Sequence, residues 1–265
     1  MFTSLVLLAT LSSAQSTKLE LTNVRPHQGV WGAVRTEAKA AVGEAIHFSF
    51  DVLGLQPDEL RRLRYRTTLE VFDSKGKAIY QPGAVESVLV DLAGVGQARQ
   101  SVHLLTGLDQ APDVYKVKVT VQDAHAKKEA SFTREVVLQA LDFGLIRGQI
   151  TADREGQMAS PGVGVVGQTL YVNAIAVGFK RDPQKDDKGF VTVEMALTDD
   201  KDKPISPKPL IADAKDIPAD VTFVPLRFEV PLQKVGSFKI AIKATDQVSK
   251  KTATLAFPLQ ILDLK

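Results

Sequence analysis

The chain contains 265 residues, a length that fits one large domain or two domains of ordinary size. Its 33 lysines and arginines nearly balance its 31 aspartates and glutamates, and the resulting formal charge of +2 argues against a surface built to bind nucleic acid. The absence of cysteine excludes disulfides, thiolate metal sites and thiol nucleophiles. The composition therefore indicates a globular protein that folds without covalent cross-links.

The first residues have the pattern of a signal peptide. An apolar run at 5–11 is followed by small residues at 12–14, which predicts a signal peptide at 1–14 and cleavage before Gln15. The run is shorter than the roughly 18–20 residues that cross a bilayer, so a membrane anchor is the weaker interpretation, as is a buried first strand. We expect export to the periplasm or the extracellular space, with no membrane span in the mature chain.

Three segments of the first half recur in the same order in the second half. The segment VGEAIHFSFDVLGL (42–55) aligns with VGQTLYVNAIAVGF (166–179), LEVFDSKGKAI (69–79) aligns with MALTDDKDKPI (195–205), and YKVKVTVQDAHAKKEASF (115–132) aligns with FKIAIKATDQVSKKTATL (238–255). The offsets are 124, 126 and 123 residues. Because such regular self-similarity is typical of a duplicated structural unit, we predict two tandem domains, at 15–139 and 140–265.

The repeated segments alternate apolar and polar residues, as strands with one buried face do. The residues predicted to face inward are Tyr115, Val117, Val119 and Val121, their counterparts Phe238, Ile240, Ile242 and Ala244, and Ile46, Phe48, Phe50 and Val52. Turn-forming residues at 73–77 and 123–128 interrupt this alternation. The pattern predicts an all-β fold of antiparallel sandwiches, with one or two helical turns at 57–64 (PDELRRLR) as the exception.

The segment from Asp113 to Leu138 combines DVYKVKVTVQD, a lysine-rich turn and a last strand. It resembles the final hairpin of bacterial immunoglobulin-like domains, including those of the fibronectin type III and macroglobulin types. The resemblance implies two tandem immunoglobulin-like β-sandwich domains with exported adhesion, scaffolding or spacer roles. The chain lacks the cysteine pair of antibody domains and the cysteine of the macroglobulin thioester.

Histidines are the first candidates for catalysis or metal binding. The chain has His27, His47, His103 and His125, and no two of them are two, three or four residues apart. His47 shares the polar face of its predicted strand with Ser49 and Asp51, a set that could hold a metal but that a solvated sheet face explains better. The sequence therefore predicts no catalytic residue, no metal site and no cofactor.

Two acidic loops could bind calcium weakly through carboxylate oxygens. They contain Asp182, Asp186 and Asp187, and Asp199, Asp200 and Asp202. Lysines are interleaved with these aspartates, and aspartate also forms turns by bonding its own backbone. The turn-forming role is therefore the favoured interpretation of both loops.

The densest positive patch consists of Arg61, Arg62, Arg64 and Arg66, which are the candidate ligand-binding residues. Such a patch could receive an acidic polysaccharide, a phosphate or an acidic protein surface. Asp58 lies four residues before Arg62, the spacing of a helical ion pair, so a solvated, internally balanced loop is the competing and favoured interpretation.

These features predict an exported, non-catalytic binding, adhesion or structural module whose partner is a protein or another cell-envelope component, not a nucleic acid. One alternative is an accessory protein that presents a calcium or anionic-ligand site on its loops. A second alternative is a hydrolase whose catalytic residues the sequence does not reveal. Open edge strands of the predicted sheets could accept a partner's strand by backbone pairing.

Overall fold

The computed structural model describes residues 18–27, 29, 32, 34–199, 201, 203–205 and 208–263. The predicted signal peptide at 1–14 lies outside the described residues, as do Asp200 and Asp202. The described residues fold into strands, turns and loops, and none of them belongs to a helix capable of spanning a bilayer. The predicted all-β class is therefore confirmed.

The first half contains nine strands in the described residues. They are β1 (Glu20–His27), β2 (Lys39–Ala41), β3 (Ala45–Leu53), β4 (Arg62–Phe72), β5 (Ala78–Tyr80), β6 (Val85–Val90), β7 (Gln97–Leu105), β8 (Asp113–Asp123) and β9 (Glu129–Gln139). One sheet has the order β1-β3-β7, and the other has the order β2-β9-β8-β4-β5, with β6 also paired to β4.

The second half likewise contains nine strands in the described residues. They are β10 (Gly144–Thr151), β11 (Val163–Val165), β12 (Thr169–Val177), β13 (Arg181–Asp182), β14 (Lys188–Asp199), β15 (Leu210–Ile217), β16 (Phe223–Pro231), β17 (Gly236–Asp246) and β18 (Thr252–Leu262). Their sheets have the orders β10-β12-β16 and β11-β18-β17-β14-β13, with β15 also paired to β14.

Most of the strand order of the first half recurs in the second; the exceptions are β5, which follows β4 in the chain, and β13, which precedes β14. In both halves the short strand β2 or β11 pairs in parallel with the last strand, whereas β4 and β14 pair antiparallel with β8 and β17. The registers also agree, because Tyr65 lies opposite Asp123 and Val191 lies opposite Asp246. Several of the pairings are antiparallel, and the arrangement is consistent with β-sandwich domains, as predicted. The immunoglobulin-like type and the tandem number of the domains stay predictions. The boundary between residues 139 and 140 stays a prediction.

By its internal contacts the chain forms two compact units, each discontinuous in sequence. One unit consists of a first segment that ends at Val24, together with Ser49–Ser101 and Lys116–Arg134. The other unit consists of Arg25–Phe48, Val102–Tyr115 and the chain from Glu135 onward. In the first unit the rings of Phe50 and Phe132 meet edge to face, with centroids 5.3 Å apart. Val119 and Tyr65 are fully buried in the same unit.

The core of the second unit takes residues from both of its sheets, and it includes Ile242, which was predicted to face inward. Val172 and Phe228 from the three-stranded sheet join Val193 and Ile242 from the six-stranded sheet in one buried cluster. Because apolar residues of two sheets meet in a single core, this part of the chain is a β-sandwich. Each fully buried side chain of this size contributes about 1.5–3 kcal/mol relative to an exposed one.

The helical turns predicted at 57–64 are absent, so that prediction is wrong. Pro57 forms an isolated bridge with Leu63, and β4 begins at Arg62. Arg61 has a φ of 58°, a left-handed conformation that an α-helix cannot continue through. Burial of Leu63 and Tyr65 on one face of β4 outweighs the helical spacing of the charges.

Candidate functional site

Three of the four candidate arginines form a row on the outer face of β4. Arg62, Arg64 and Arg66 alternate with the buried Leu63 and Tyr65, so their side chains point to the opposite face at intervals of about 7 Å. Arg61 does not belong to this row. It precedes the strand, and its guanidinium lies beside Gly94, 3.0 Å from where a Cβ atom at that position would be.

Each arginine of the row lies within ion-pair distance of a carboxylate, and Asp58 is shared by two of them. Asp58 Oδ2 lies 2.9 Å from Arg62 Nε and 3.4 Å from Arg64 Nε, while Glu86 Oε1 accepts from Arg66 Nε at 2.9 Å and from Nη2 at 2.6 Å. The backbone N–H of Arg62 and then its side chain hold the pKa of Asp58 below its usual range. The predicted pair of Asp58 and Arg62 therefore exists, in a turn and not in a helix.

A shallow cleft of about 220 Å³ lies on this outer face. Arg64, Arg66 and Lys127 supply positive charge, Glu86 supplies negative charge, and Ser87, Val88, Gln122 and Ala124 complete most of the wall. The cleft has no enclosed apolar interior, so an anion bound there would stay largely solvated. Solvated charge pairs contribute little affinity each.

The second half contains a cleft at the matching position. It has a volume of about 480 Å³ and is lined by Asp182, Lys185, Lys188, Phe190, Lys215, Asp216 and Gln247, among others. The match follows from the register, because Arg64 and Phe190 directly precede the residues opposite Asp123 and Asp246. Both halves thus present a polar cleft where the turn after β8 or β17 meets the outer face.

Strand β6 borders the first cleft and is an edge strand. Among the described strands, β4 is its one pairing partner. Val88 and Val90, which lie opposite Arg64 and Arg62, are 53% and 62% exposed, and Val85 at the other end of the strand is equally open. Exposed, regular and apolar edge strands are templates for pairing with another chain.

The direction of the backbone N–H and C=O groups of β6 shows which of them have no partner on β4. Successive residues of a strand point their N–H and C=O groups to opposite edges. Because the N–H of Asp91 donates to the carbonyl of Arg61 on the β4 side, Ser87 and Leu89 also face β4. Glu86 and Val88 therefore point their backbone groups to the open edge.

Sequence reasoning did not locate this edge. The stretch VESVLV has no strict alternation, and so it lacked the signal used to find the buried strands. A signal was present nonetheless: an apolar run with one charge, bounded by Pro82-Gly83 on one side and by Gly94 and Gly96 on the other. Such a run is consistent with a strand that presents apolar side chains on both of its faces.

The histidines are closer together than their spacing suggested. The rings of His47 on β3 and His103 on β7 stack with centroids 5.8 Å apart. Burial first, and then repulsion from His103, His27 and Arg35, lowers the pKa of His47 to about 4. Neighbouring strands bring together residues far apart in sequence, which no short-range spacing could reveal.

No metal site emerges from this arrangement in the part of the chain that the structure describes. There, no group of three or more histidine, aspartate or glutamate side chains is placed to hold an ion. His125 lies apart in the turn after β8, where its backbone N–H donates to Asp123 Oδ1 at 2.8 Å.

The acidic loops use their carboxylates to stabilise turns. Asp182 Oδ1 accepts from the N–H of Gln184 at 3.0 Å, and Asp199 Oδ1 accepts from the N–H groups of Lys201 and Lys203 at 3.0 and 2.8 Å. Asp186 forms an ion pair with Lys188 at 3.6 Å. The backbone contacts of Asp182 and Asp199 are those of aspartates acting as turn formers.

Comparison with known proteins adds little to this geometry. No protein-family model matches the chain, and no curated protein matches its sequence. A solved structure, the transglutaminase of red sea bream, is similar over 92% of this chain and 31% of its own, with 8% identity and a TM-score of 0.28. The chain thus spans about a third of the length of that transglutaminase, and a likeness this low carries no argument about activity.

Proposed function

We propose that this chain is an exported, non-catalytic binding module that engages a protein partner by strand addition at β6. The observation that carries the proposal is the open edge of β6, where the backbone groups of Glu86 and Val88 point away from the sheet beside exposed valines. In strand addition these main-chain groups supply affinity, and the flanking side chains supply specificity. The apolar segment at 1–14 supports export to the periplasm or the extracellular space.

The matching strand of the second half is a poorer template. Strand β15 also pairs with one described strand, but its register with β14 shifts between Gly189 and Val191. It carries Asp213, Lys215 and Asp216, the last with a φ of 53°. Bulges and charges are the features by which proteins block edge pairing. By contrast, β6 pairs with β4 from Arg62 to Thr67 without a register shift. The two edges therefore differ in the way expected if β6 is the binding strand.

Photo-cross-linking in the source cells tests the proposal. A photoreactive phenylalanine analogue at position 90 is expected to cross-link to a protein, and Val88→Pro is expected to abolish the product because it removes the outward N–H. The matched control is the same analogue at position 211, since Ile211 is 64% exposed and Val90 62%. Equal products from both positions, or a position-90 product that Val88→Pro leaves unchanged, would contradict strand addition.

A second candidate is binding of an anionic ligand, which the cleft between Arg64, Arg66 and Lys127 favours. A sulfated polysaccharide such as heparin would then raise the melting temperature of the protein by mass action. The double variant Arg64→Gln/Arg66→Gln should abolish that rise, whereas Lys185→Gln in the other cleft should not. An unchanged melting temperature with heparin in excess would remove this candidate.

A further inference from the structure

We propose that the strand added to β6 is β6 of a second copy of this chain, paired antiparallel about a twofold axis at Val88. This inference rests on the proposed function and names its partner. A twofold pairing is closed, because the two copies cover each other's β6 edge and leave it unavailable to a third copy. Three properties of β6 favour this pairing: its hydrogen-bonding groups, its charge and its shape.

The hydrogen-bonding groups are self-complementary in this register. Val88 faces its own copy across the axis, so its N–H and C=O exchange hydrogen bonds with their equivalents. Two residues away, Glu86 of one copy faces Val90 of the other. The Val90 carbonyl already accepts from the N–H of Leu92 at 3.1 Å, and its second lone pair stays available to the Glu86 N–H. Every outward backbone group of the strand thus finds a partner.

The charge pattern also favours this partner. Glu86 is the one charged side chain of β6, and the register sets it against the partner's valine and not against a second carboxylate. Like charges directly opposite each other would destabilise a strand pair. Glu86 meanwhile keeps its ion pair with Arg66 on the neighbouring strand, 2.6 Å away. Pairing therefore leaves no charge without a partner.

The shape of the ends of β6 is complementary as well. Leu92 lies four residues after Val88 and is 87% exposed, the largest exposed fraction among the large apolar residues described. Four residues before Val88 is Ala84, preceded by Gly83, beside which there is open space. In the twofold register the end of β6 that carries Leu92 lies beside the end of the other copy that carries these small residues.

The backbone next to Leu92 is anchored by a buried carboxylate. Asp91, next to it, is buried and accepts hydrogen bonds from the N–H groups of Val95 at 3.1 Å and Gly96 at 2.9 Å. A preorganised apolar anchor costs less entropy on binding than a mobile one. Exposure of a leucine beside an apolar edge is typical of an interaction surface.

Sedimentation equilibrium of the purified full chain tests the inference. The wild type is expected to form a dimer as its concentration rises, and Val88→Pro is expected to stay monomeric. Ile211→Pro on β15 is the matched control and should dimerise as the wild type does. Circular dichroism of both variants verifies that each is folded. A wild type that is monomeric throughout, or a Val88→Pro variant that still dimerises, would overturn the inference.

A disulfide test reports the register itself and uses the absence of native cysteine. Val88→Cys places two thiols at the axis, where opposed Cα atoms about 5.5 Å apart suit a disulfide. Under mild oxidation it should form a covalent dimer on the order of tenfold faster than Ile211→Cys, because pairing raises the effective thiol concentration. Equal rates would overturn the register. If the wild type is monomeric while the cross-link from position 90 to another protein persists, self-pairing fails and the proposed function stands.

Discussion

Asp123 and Asp246 are equivalent residues, one in each half of the chain. Each ends a long strand, and each is completely buried. Asp123 Oδ2 accepts from the N–H of Gln56 at 2.7 Å, and Asp246 Oδ2 accepts from the N–H of Lys180 at 2.9 Å. The other oxygen of each carboxylate caps the turn that follows the strand. The same carboxylate thus joins a turn to a distant loop in both halves.

Removing either carboxylate should destabilise the protein strongly. Asp246→Ala leaves the N–H groups of Lys180 and Val248 without their acceptor at a buried site, so we expect a loss of about 3 kcal/mol. The free energy of unfolding in urea measures the effect. Asp199→Ala is the control, since that aspartate caps an exposed turn and should cost about 1 kcal/mol. Equal losses would show that the carboxylate at 246 is no more important than an ordinary turn former.

Gly96 should tolerate no side chain. Its φ is 63°, and a Cβ atom would lie 2.4 Å from the carbonyl oxygen of Leu55. We expect Gly96→Ala to lower the free energy of unfolding by about 2–3 kcal/mol through strain and displaced backbone. Gly76 is the control, because it also has a positive φ, 81°, but a Cβ atom there would meet no atom within 4 Å. Gly76→Ala should therefore lower the free energy of unfolding by about 1 kcal/mol. A cost at position 96 no larger than at position 76 would contradict the role of the close contact.

The sequence predicted the interior well because burial imposes a period. Val117, Val119 and Val121 alternate with polar residues and are buried as predicted. The row of Arg62, Arg64 and Arg66 was visible as a cluster, but its place on a strand was not, since local charge spacing favoured a helical turn over the weaker alternation of Leu63 and Tyr65.

Features made by pairing between strands could not be predicted in the same way. The stack of His47 on His103 depends on two strands becoming neighbours, and the open edge at Val88 depends on which strand ends the sheet. Neither property is encoded in a local pattern of residue types. Both follow from the register once the topology is known.

His47 should make stability depend on pH. Its pKa is about 4 in the folded chain and about 6.5 in the unfolded chain, so the unfolded state takes up the proton first as the pH falls. Stability is therefore lost between about pH 6.5 and about pH 4, and no further below. The full shift corresponds to about 3 kcal/mol, which solvent screening at this partly exposed ring should reduce to about 1–2 kcal/mol.

Urea unfolding near pH 7 and near pH 4.5 measures this dependence. His47→Gln should remove about 1–2 kcal/mol of the pH-dependent loss, because glutamine does not titrate. His125→Gln, in the exposed turn after β8, should leave the wild-type dependence in place. An unchanged pH dependence in His47→Gln would show that this histidine is not its source.

The ion pair between Arg66 and Glu86 should contribute little to stability, although two nitrogens of the guanidinium donate to the carboxylate. Both side chains are more than half exposed, so solvent and salt screen their attraction. A double-mutant cycle with Arg66→Ala and Glu86→Ala should give a coupling of about 0.2–1 kcal/mol. A coupling well above this range would place the arginine row among the structural determinants of the fold.

Amide hydrogen exchange tests the central claim, that β6 binds through its open edge, most directly. In dilute protein the amides of Glu86 and Val88 should exchange rapidly while those of Ser87 and Leu89, which face β4, are protected. At concentrations where the chain associates, Glu86 and Val88 should become protected as well. Association without any slowing at these two amides would contradict the account, because the partner would then be bound elsewhere.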